Sequence, residues 1–145
     1  MPRRSEVSDP EEYNRLTAEE FRANHGVVFE PDKPPRTLLL LTTRGRRSGV
    51  EHTTPLVCIA EGATYLVFAT HGGAPEDPDW FLNLVAEGSA TVEVGAATFR
   101  AKATVLEGAE RDRRYAEQAA RFPQFAEYAR NTSRVIPVVA LERID

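Results

Sequence analysis

Thr37-Leu38-Leu39-Leu40-Leu41-Thr42-Thr43-Arg44-Gly45-Arg46-Arg47-Ser48-Gly49 is the stretch on which the fold is read. Thr37 to Thr43 is short and apolar, is flanked by β-branched threonines and stops at a glycine. Those features make it a fully buried strand. Gly45 to Gly49 is then a turn. Thr53 to Ala60 makes the next strand, Glu61-Gly62 a hairpin turn and Thr64 to Thr70 a third strand, so the second and third strands form a hairpin.

Working outward, His71 to Pro78 carries Gly72-Gly73 and two prolines and reads as a loop. Asp79 to Ala86 follows as a short helix with Asp79 as its cap. Ala90 to Val94 and Ala97 to Leu106 are strands around Gly95-Ala96. Ala109 to Phe122 has Tyr115, Ala119 and Phe122 at helical spacing. Pro123 interrupts it, Phe125 to Arg130 continues as a further turn or helix, and Val135 to Arg143 is the last strand. Upstream, Pro31, Pro34 and Pro35 break regular structure. Thr17 to Asn24 is a helix with Thr17 and Glu20 as a capping box and Tyr13, Leu16 and Phe21 facing inward, and residues 1–12 are a flexible tail. About six strands with three helices between them do not alternate as a parallel βαβ sheet does. The expected fold is mainly β with flanking helices (α+β): a single domain, 1–145, whose six antiparallel strands close into a barrel that removes the sheet edges.

Composition narrows the function classes. Of 145 residues, 41% are hydrophobic and 28% charged, with a net charge of −4, a globular balance for one domain. An acidic chain without a long basic run argues against nucleic-acid binding. The single cysteine, Cys58, lies in an apolar run and reads as a buried small hydrophobe in a reducing, cytoplasmic setting. No apolar run, Leu38 to Leu41 included, comes near the length needed to span a bilayer. Tyr13, Leu16 and Phe21 beside Arg15 and Arg22 allow at most a weak membrane-surface association. His25, His52 and His71 are scattered with no Cys or paired acid beside them, so no metal site is expected.

Three places could carry chemistry. At Arg44 to Gly49, glycines let backbone N–H groups converge, while Arg46, Arg47 and Ser48 add donors. The turn is either an anion site or simply a solvated hairpin tip. At Thr70-His71-Gly72-Gly73-Ala74, paired glycines after a strand let a ligand approach the backbone, or merely form a loop tip. At Asp79 to Leu84, Trp80 and Phe81 read as core, while Asn83 is the polar exception that could face a ligand. Walker, dinucleotide-fingerprint and Gly-x-Ser-x-Gly motifs do not occur.

Taken in order, Leu39 to Thr43, Gly45 to Gly49, Thr53 to Val57, His71 to Pro75, Pro78 to Phe81, Asn83 to Val85 and Ile136 to Val139, with Glu19 to Asn24 ahead of them, resemble the deazaflavin-dependent nitroreductase family. Its members look like flavin-reductase-type split β-barrels that use coenzyme F420. The resemblance implies that Arg46, Arg47, Ser48 and Gly49 face the cofactor's phosphate and acidic tail, with Thr54 and Pro55 lining the same groove. It further implies that Thr70, His71, Gly72, Gly73 and Ala74 run along the deazaflavin ring, closed in by Trp80 and Asn83. F420 is the implied cofactor, with FMN as the second choice, and its ring supplies hydride. His52 and His71 depart from the pattern, since members often carry basic residues there. Where nitroreducing members carry several tyrosines, this chain keeps one hydroxyl, on Tyr128, which is the candidate to donate a proton to the substrate. The implied function is F420H2-dependent hydride transfer to a small conjugated, quinone-like or nitroaromatic acceptor. The alternatives are a non-catalytic deazaflavin- or flavin-binding protein and a barrel that binds a lipid or other hydrophobic ligand. A homodimer is implied by resemblance alone.

Overall fold

A computed structural model describes residues 8–31 and 36–144; the proline breaks at Pro34 and Pro35 and the first seven residues of the expected tail lie outside them. The first helix, α1, runs Pro10–Ala23 and so begins well before the expected capping box. Asp9 is its N-cap, accepting from the Glu11 N–H, and Pro10 occupies the first turn, where a missing N–H costs nothing. Thr17 is instead buried in mid-helix, its hydroxyl donating to the Tyr13 carbonyl at 2.8 Å, and residues 10–12 of the expected tail are helical. Leu16 and Phe21 are buried and Tyr13 is half-buried.

Six strands follow: β1 (Thr37–Arg44), β2 (Glu51–Glu61), β3 (Thr64–Phe68), β4 (Ser89–Val94), β5 (Ala97–Val105) and β6 (Val138–Arg143). They pair antiparallel throughout and close as β1-β2-β3-β6-β5-β4, the six-stranded antiparallel barrel expected. Alternation along the strands explains the run at Leu38 to Leu41. Leu39 and Leu41 point into the barrel with Val67, Val92, Phe99, Val139 and Leu141, while Leu40 points out beneath Ala18 and Phe21 of α1. A strand covered on both faces needs apolar residues at every position. On the far side, Leu66, Phe68, Val138 and Ala140 form a second outward face.

Among the described residues four α-helices, not three, flank the barrel. The second, α2 (Asp79–Glu87), follows Pro78 and ends at Gly88, whose φ of 84° closes the helix with its N–H on the Leu84 carbonyl. Pro78, not Asp79, occupies the N-cap, so the expected Asp79 cap is absent; Asp79 is the first helical residue. The third and fourth, α3 (Gly108–Arg121) and α4 (Pro123–Arg130), are one helical pattern broken at Phe122, which Pro123 forces into an extended conformation (φ −130°, ψ 95°). The break folds α4 back so that Tyr115, Phe122 and Phe125 cover the outward face of β3 and β6, and the Tyr115 hydroxyl donates to the Phe125 carbonyl at 2.6 Å.

Candidate functional site

At one end of the barrel, the β1–β2 turn, the start of β2, the β3–α2 loop and the start of α2 face α1 across a groove of about 1120 Å³. Register puts them there. Thr43 continues the inward face of Leu39 and Leu41, and His52, Thr54 and Leu56 are the inward partners opposite Thr43, Leu41 and Leu39. The turn itself is tied by Gly45 N–H to the Val50 carbonyl (2.8 Å) and Gly49 N–H to the Gly45 carbonyl (2.9 Å). Ser48 Oγ accepts from Val50 N–H at 3.1 Å and sits where a side chain on Gly45 would lie, since a Cβ there would be 2.5 Å from it.

The arginines of the turn are not equivalent. Arg46 folds onto α2: its backbone N–H and Nη1 both donate to Asn83 Oδ1, at 3.1 and 2.8 Å, and Nη2 reaches Asp79 at 3.5 Å. Asn83 is only 6% exposed, so the residue expected to face a ligand spends its oxygen on Arg46. Arg47 projects into the groove with no ion pair among the described residues. The other groove arginines are engaged: Arg15 with Glu12 and Glu19, and Arg22 with Glu93 at 2.8 Å. The hydrogen bond to Glu93 also holds the Arg22 guanidinium pKa above its ordinary value.

Thr43 carries the sharpest signal. It is 3% exposed and lines the groove, and its hydroxyl has no hydrogen-bond partner among the described residues. A buried, unmet hydroxyl costs about 1–3 kcal/mol, which a ligand in the groove would relieve. By contrast, Thr42 Oγ1 is satisfied by Thr53 Oγ1 at 2.8 Å.

The β3–α2 loop turns through three successive left-handed residues, His71 (φ 49°), Gly72 (φ 61°) and Gly73 (φ 82°). Gly73 and Ala74 N–H groups donate back to the Thr70 and His71 carbonyls at 2.9 and 3.0 Å. Glycine accepts this conformation freely, but at His71 it costs roughly 1–2 kcal/mol. The His71 ring is anchored with Nδ1 3.0 Å from the Glu76 carbonyl.

Of the residues singled out from sequence, Arg46, Arg47, Ser48, Thr54, Thr70, His71, Gly72, Trp80 and Asn83 line the groove together. Gly49, Pro55, Gly73, Ala74 and Tyr128 do not line it. Gly49 shapes the turn with a φ of 73°. Pro55 pairs with Leu40 and shares its outward face beneath α1. Gly73 is buried against α4, where its Cα faces the Tyr128 carbonyl and Asn131. Tyr128 stacks its ring edge-on against Phe125 at 5.6 Å, because three residues' spacing on α4 puts both on the apolar face. Sequence reasoning missed Thr43 and the α1 wall. A polar residue closing the Leu39, Leu41 alternation was the available signal for Thr43. For α1, Arg15 and Arg22 read as flanking an apolar edge at a membrane surface, and Asn14 carries no signal of its own. Cys58 is 5% exposed and burial pushes its thiol up to about 12, so it packs rather than reacts. Among the described residues no group of three His, Cys, Asp or Glu side chains gathers to hold a metal, and no helix is long and apolar enough to cross a membrane.

Comparison with known proteins bears on this groove. A family model described as F420H(2)-dependent quinone reductase matches residues 13–143. An F420H(2)-dependent quinone reductase of Mycobacterium tuberculosis is 34% identical over 128 residues, covering 85% of each chain. Among solved structures, an F420-H2 dependent reductase (FDR-A) is similar at 33% identity and a TM-score of 0.65, over 80% of this chain and 100% of that one. A structure described as a domain-swapped dimer is similar at 31% identity and a TM-score of 0.67, over 92% of this chain and 100% of that one.

Proposed function

This chain belongs to the F420H(2)-dependent quinone reductase family, and from that membership we propose that it is an F420H2-dependent reductase of a small quinone-like, conjugated or nitroaromatic acceptor held in the groove beside α1. The observation that carries the reading is the groove's division of labour. Arg47 offers an uncommitted cation at the turn, while Trp80 and Leu56 make an apolar wall. A planar ring bearing a phosphate and an acidic tail needs both. The unmet Thr43 hydroxyl fits too, since it lacks the partner that a ring carbonyl or phosphate oxygen would supply.

Bound there, reduced F420 supplies hydride from its ring. The chain's own residues bind and orient. Arg47 and Ser48 hold the anionic end through charge-assisted donors. Thr43 and the backbone of Thr70, His71 and Gly72 fix the polar edge of the ring. Trp80 and Leu56 would exclude water and leave one face for the acceptor. Arg46 and Asn83 brace the turn against α2 instead of touching the cofactor. Tyr128 is not part of the proposed set, because its ring is committed to the α4 apolar cluster. The reading includes a cytoplasmic setting, supported by a lone, buried, unpaired cysteine. It also includes a homodimer, supported by the similar structure described as a domain-swapped dimer.

The test is a fluorescence titration of the protein with F420 and, separately, FMN, followed by oxidation of F420H2 in the presence of menadione. The expected result is an F420 dissociation constant of ~1 μM, about −8 kcal/mol, with turnover on the quinone. No F420 binding at concentrations of about 50 μM would overturn the proposal. Binding without turnover across quinones and nitroaromatics would reduce it to a carrier of the cofactor.

A further inference from the structure

Thr70, His71 and Gly72 serve the groove only while the loop that carries them keeps its left-handed path. The side chain that holds this path lies outside the groove, on a segment some sixty residues later in the chain. The β3–β6 ladder runs one bond past its last pair, Phe68 with Val138, as the Ala69 N–H donates to the Pro137 carbonyl at 2.9 Å. That extension brings the residues ahead of β6 beneath the loop. Arg134, its side chain 14% exposed, then spreads its guanidinium across both ends of the loop. Nε donates to the Ala74 carbonyl (2.8 Å), Nη2 to the Thr70 carbonyl (2.7 Å), and Nη1 to the Ala69 carbonyl (3.2 Å) and Asp77 Oδ1 (2.9 Å).

We propose that Arg134 is a positioning residue for the cofactor groove: by gathering the carbonyls of Ala69, Thr70 and Ala74 onto one planar cation, it turns them away from the groove and leaves the N–H groups of Thr70, His71 and Gly72 to serve it. The proposal rests on the F420 reading of that groove. Those three N–H groups have no partner among the described residues, and all three residues line the groove. Left-handed backbone at a residue with a side chain persists only where its surroundings over-determine it. The four bonds of Arg134 do this for His71 from both flanks. A planar fork with five donors suits the task, whereas a lysine ammonium presents a point charge that cannot span carbonyls at both ends of a loop.

Arg134→Met and Arg134→Lys test this by three measurements: thermal melting, amide hydrogen exchange of the cofactor-free protein, and F420 affinity with kinetics. In Arg134→Met, the exchange protection of the Gly73 and Ala74 amides is expected to fall by about tenfold or more while barrel-strand amides keep theirs. The F420 dissociation constant and the KM for F420H2 are expected to rise by about tenfold, with kcat changed by less than about threefold. Arg134→Lys is expected to fall between, and it decides the matter alone if the methionine variant does not fold. Wild-type loop exchange in either folded variant would overturn the proposal. So would a loss of affinity accompanied by an equal loss of protection in β1 to β6, which is general destabilisation. If the wild-type protein does not bind F420, the functional reading fails, while the exchange arm still tests what Arg134 does to the loop.

Discussion

Arg46 and Arg47 are neighbours in one turn with different tasks, and the difference lies in what each guanidinium meets. Arg46 returns two donors to the oxygen of a buried asparagine, so its value is structural. The Asp79 contact adds little, because that carboxylate is 87% exposed. Arg46→Ala keeps the backbone N–H on Asn83 Oδ1 and loses the guanidinium donor, so it is expected to lower stability by about 0.5–1.5 kcal/mol, the net worth of one hydrogen bond, seen as a lower urea midpoint. Arg47→Ala should leave the urea midpoint unchanged and raise the F420 dissociation constant by about tenfold, the order of a charge-assisted hydrogen bond. If both variants lose stability and keep affinity, the assignment of Arg47 to the anionic end of the cofactor is wrong.

At the scale of the element, the β3–α2 loop is tied at both ends by Arg134 and seated on α4 through Gly73. Its two glycines do different work. Gly72 (φ 61°) faces open space, with nothing within 4 Å of a Cβ built on it. Gly73 (φ 82°) would place a Cβ 3.1 Å from the Tyr128 carbonyl and 3.2 Å from Asn131 Cβ. Gly72→Ala is therefore expected to cost about 1 kcal/mol, the left-handed penalty alone. Gly73→Ala should cost roughly 2–4 kcal/mol, because overpacking against α4 adds to it. Equal costs in urea unfolding would mean that the loop is not seated on α4. The start of α1 teaches a related lesson. Thr17 with Glu20 has the spacing of a capping box, yet Asp9 with Pro10 lies upstream and starts the helix first. Two local start signals competed, and burial of Leu16 and Thr17 against the barrel favours the longer helix.

For the whole molecule, β6 is the closing piece. It inserts between β3 and β5, and its alternation feeds both the barrel interior, through Val139 and Leu141, and the outer aromatic cluster, through Val138 and Ala140. A chain ending before Val138 would expose two strand edges and open both clusters. It is expected to show no cooperative thermal transition, by circular dichroism or calorimetry. A two-state melt from such a truncation would mean that β1 to β5 fold without closure. The same long-range closure explains why α2, α3 and α4 were easier to read than the groove. Helix signals such as Gly88 and Pro123 act within a few residues, whereas the groove is assembled from segments separated by most of the chain.

The amino-acid order by itself determined the strands, their antiparallel hairpins and the turn chemistry, because period-two burial, β-branched runs and glycine stops are local properties that survive without knowledge of the partner. It also carried the ordered segments by which the family is recognised. Only the tertiary structure decided which polar atoms are left over. Whether Arg46 or Arg47 is free depends on Asn83, thirty-seven residues from Arg46. That the Thr43 hydroxyl lacks a partner depends on every neighbour the closed barrel brings to it. That the Tyr128 ring packs on Phe125 depends on the fold-back at Phe122. Hydrogen-bond satisfaction is a sum over all neighbours in space, and the chain order shows only those along the chain.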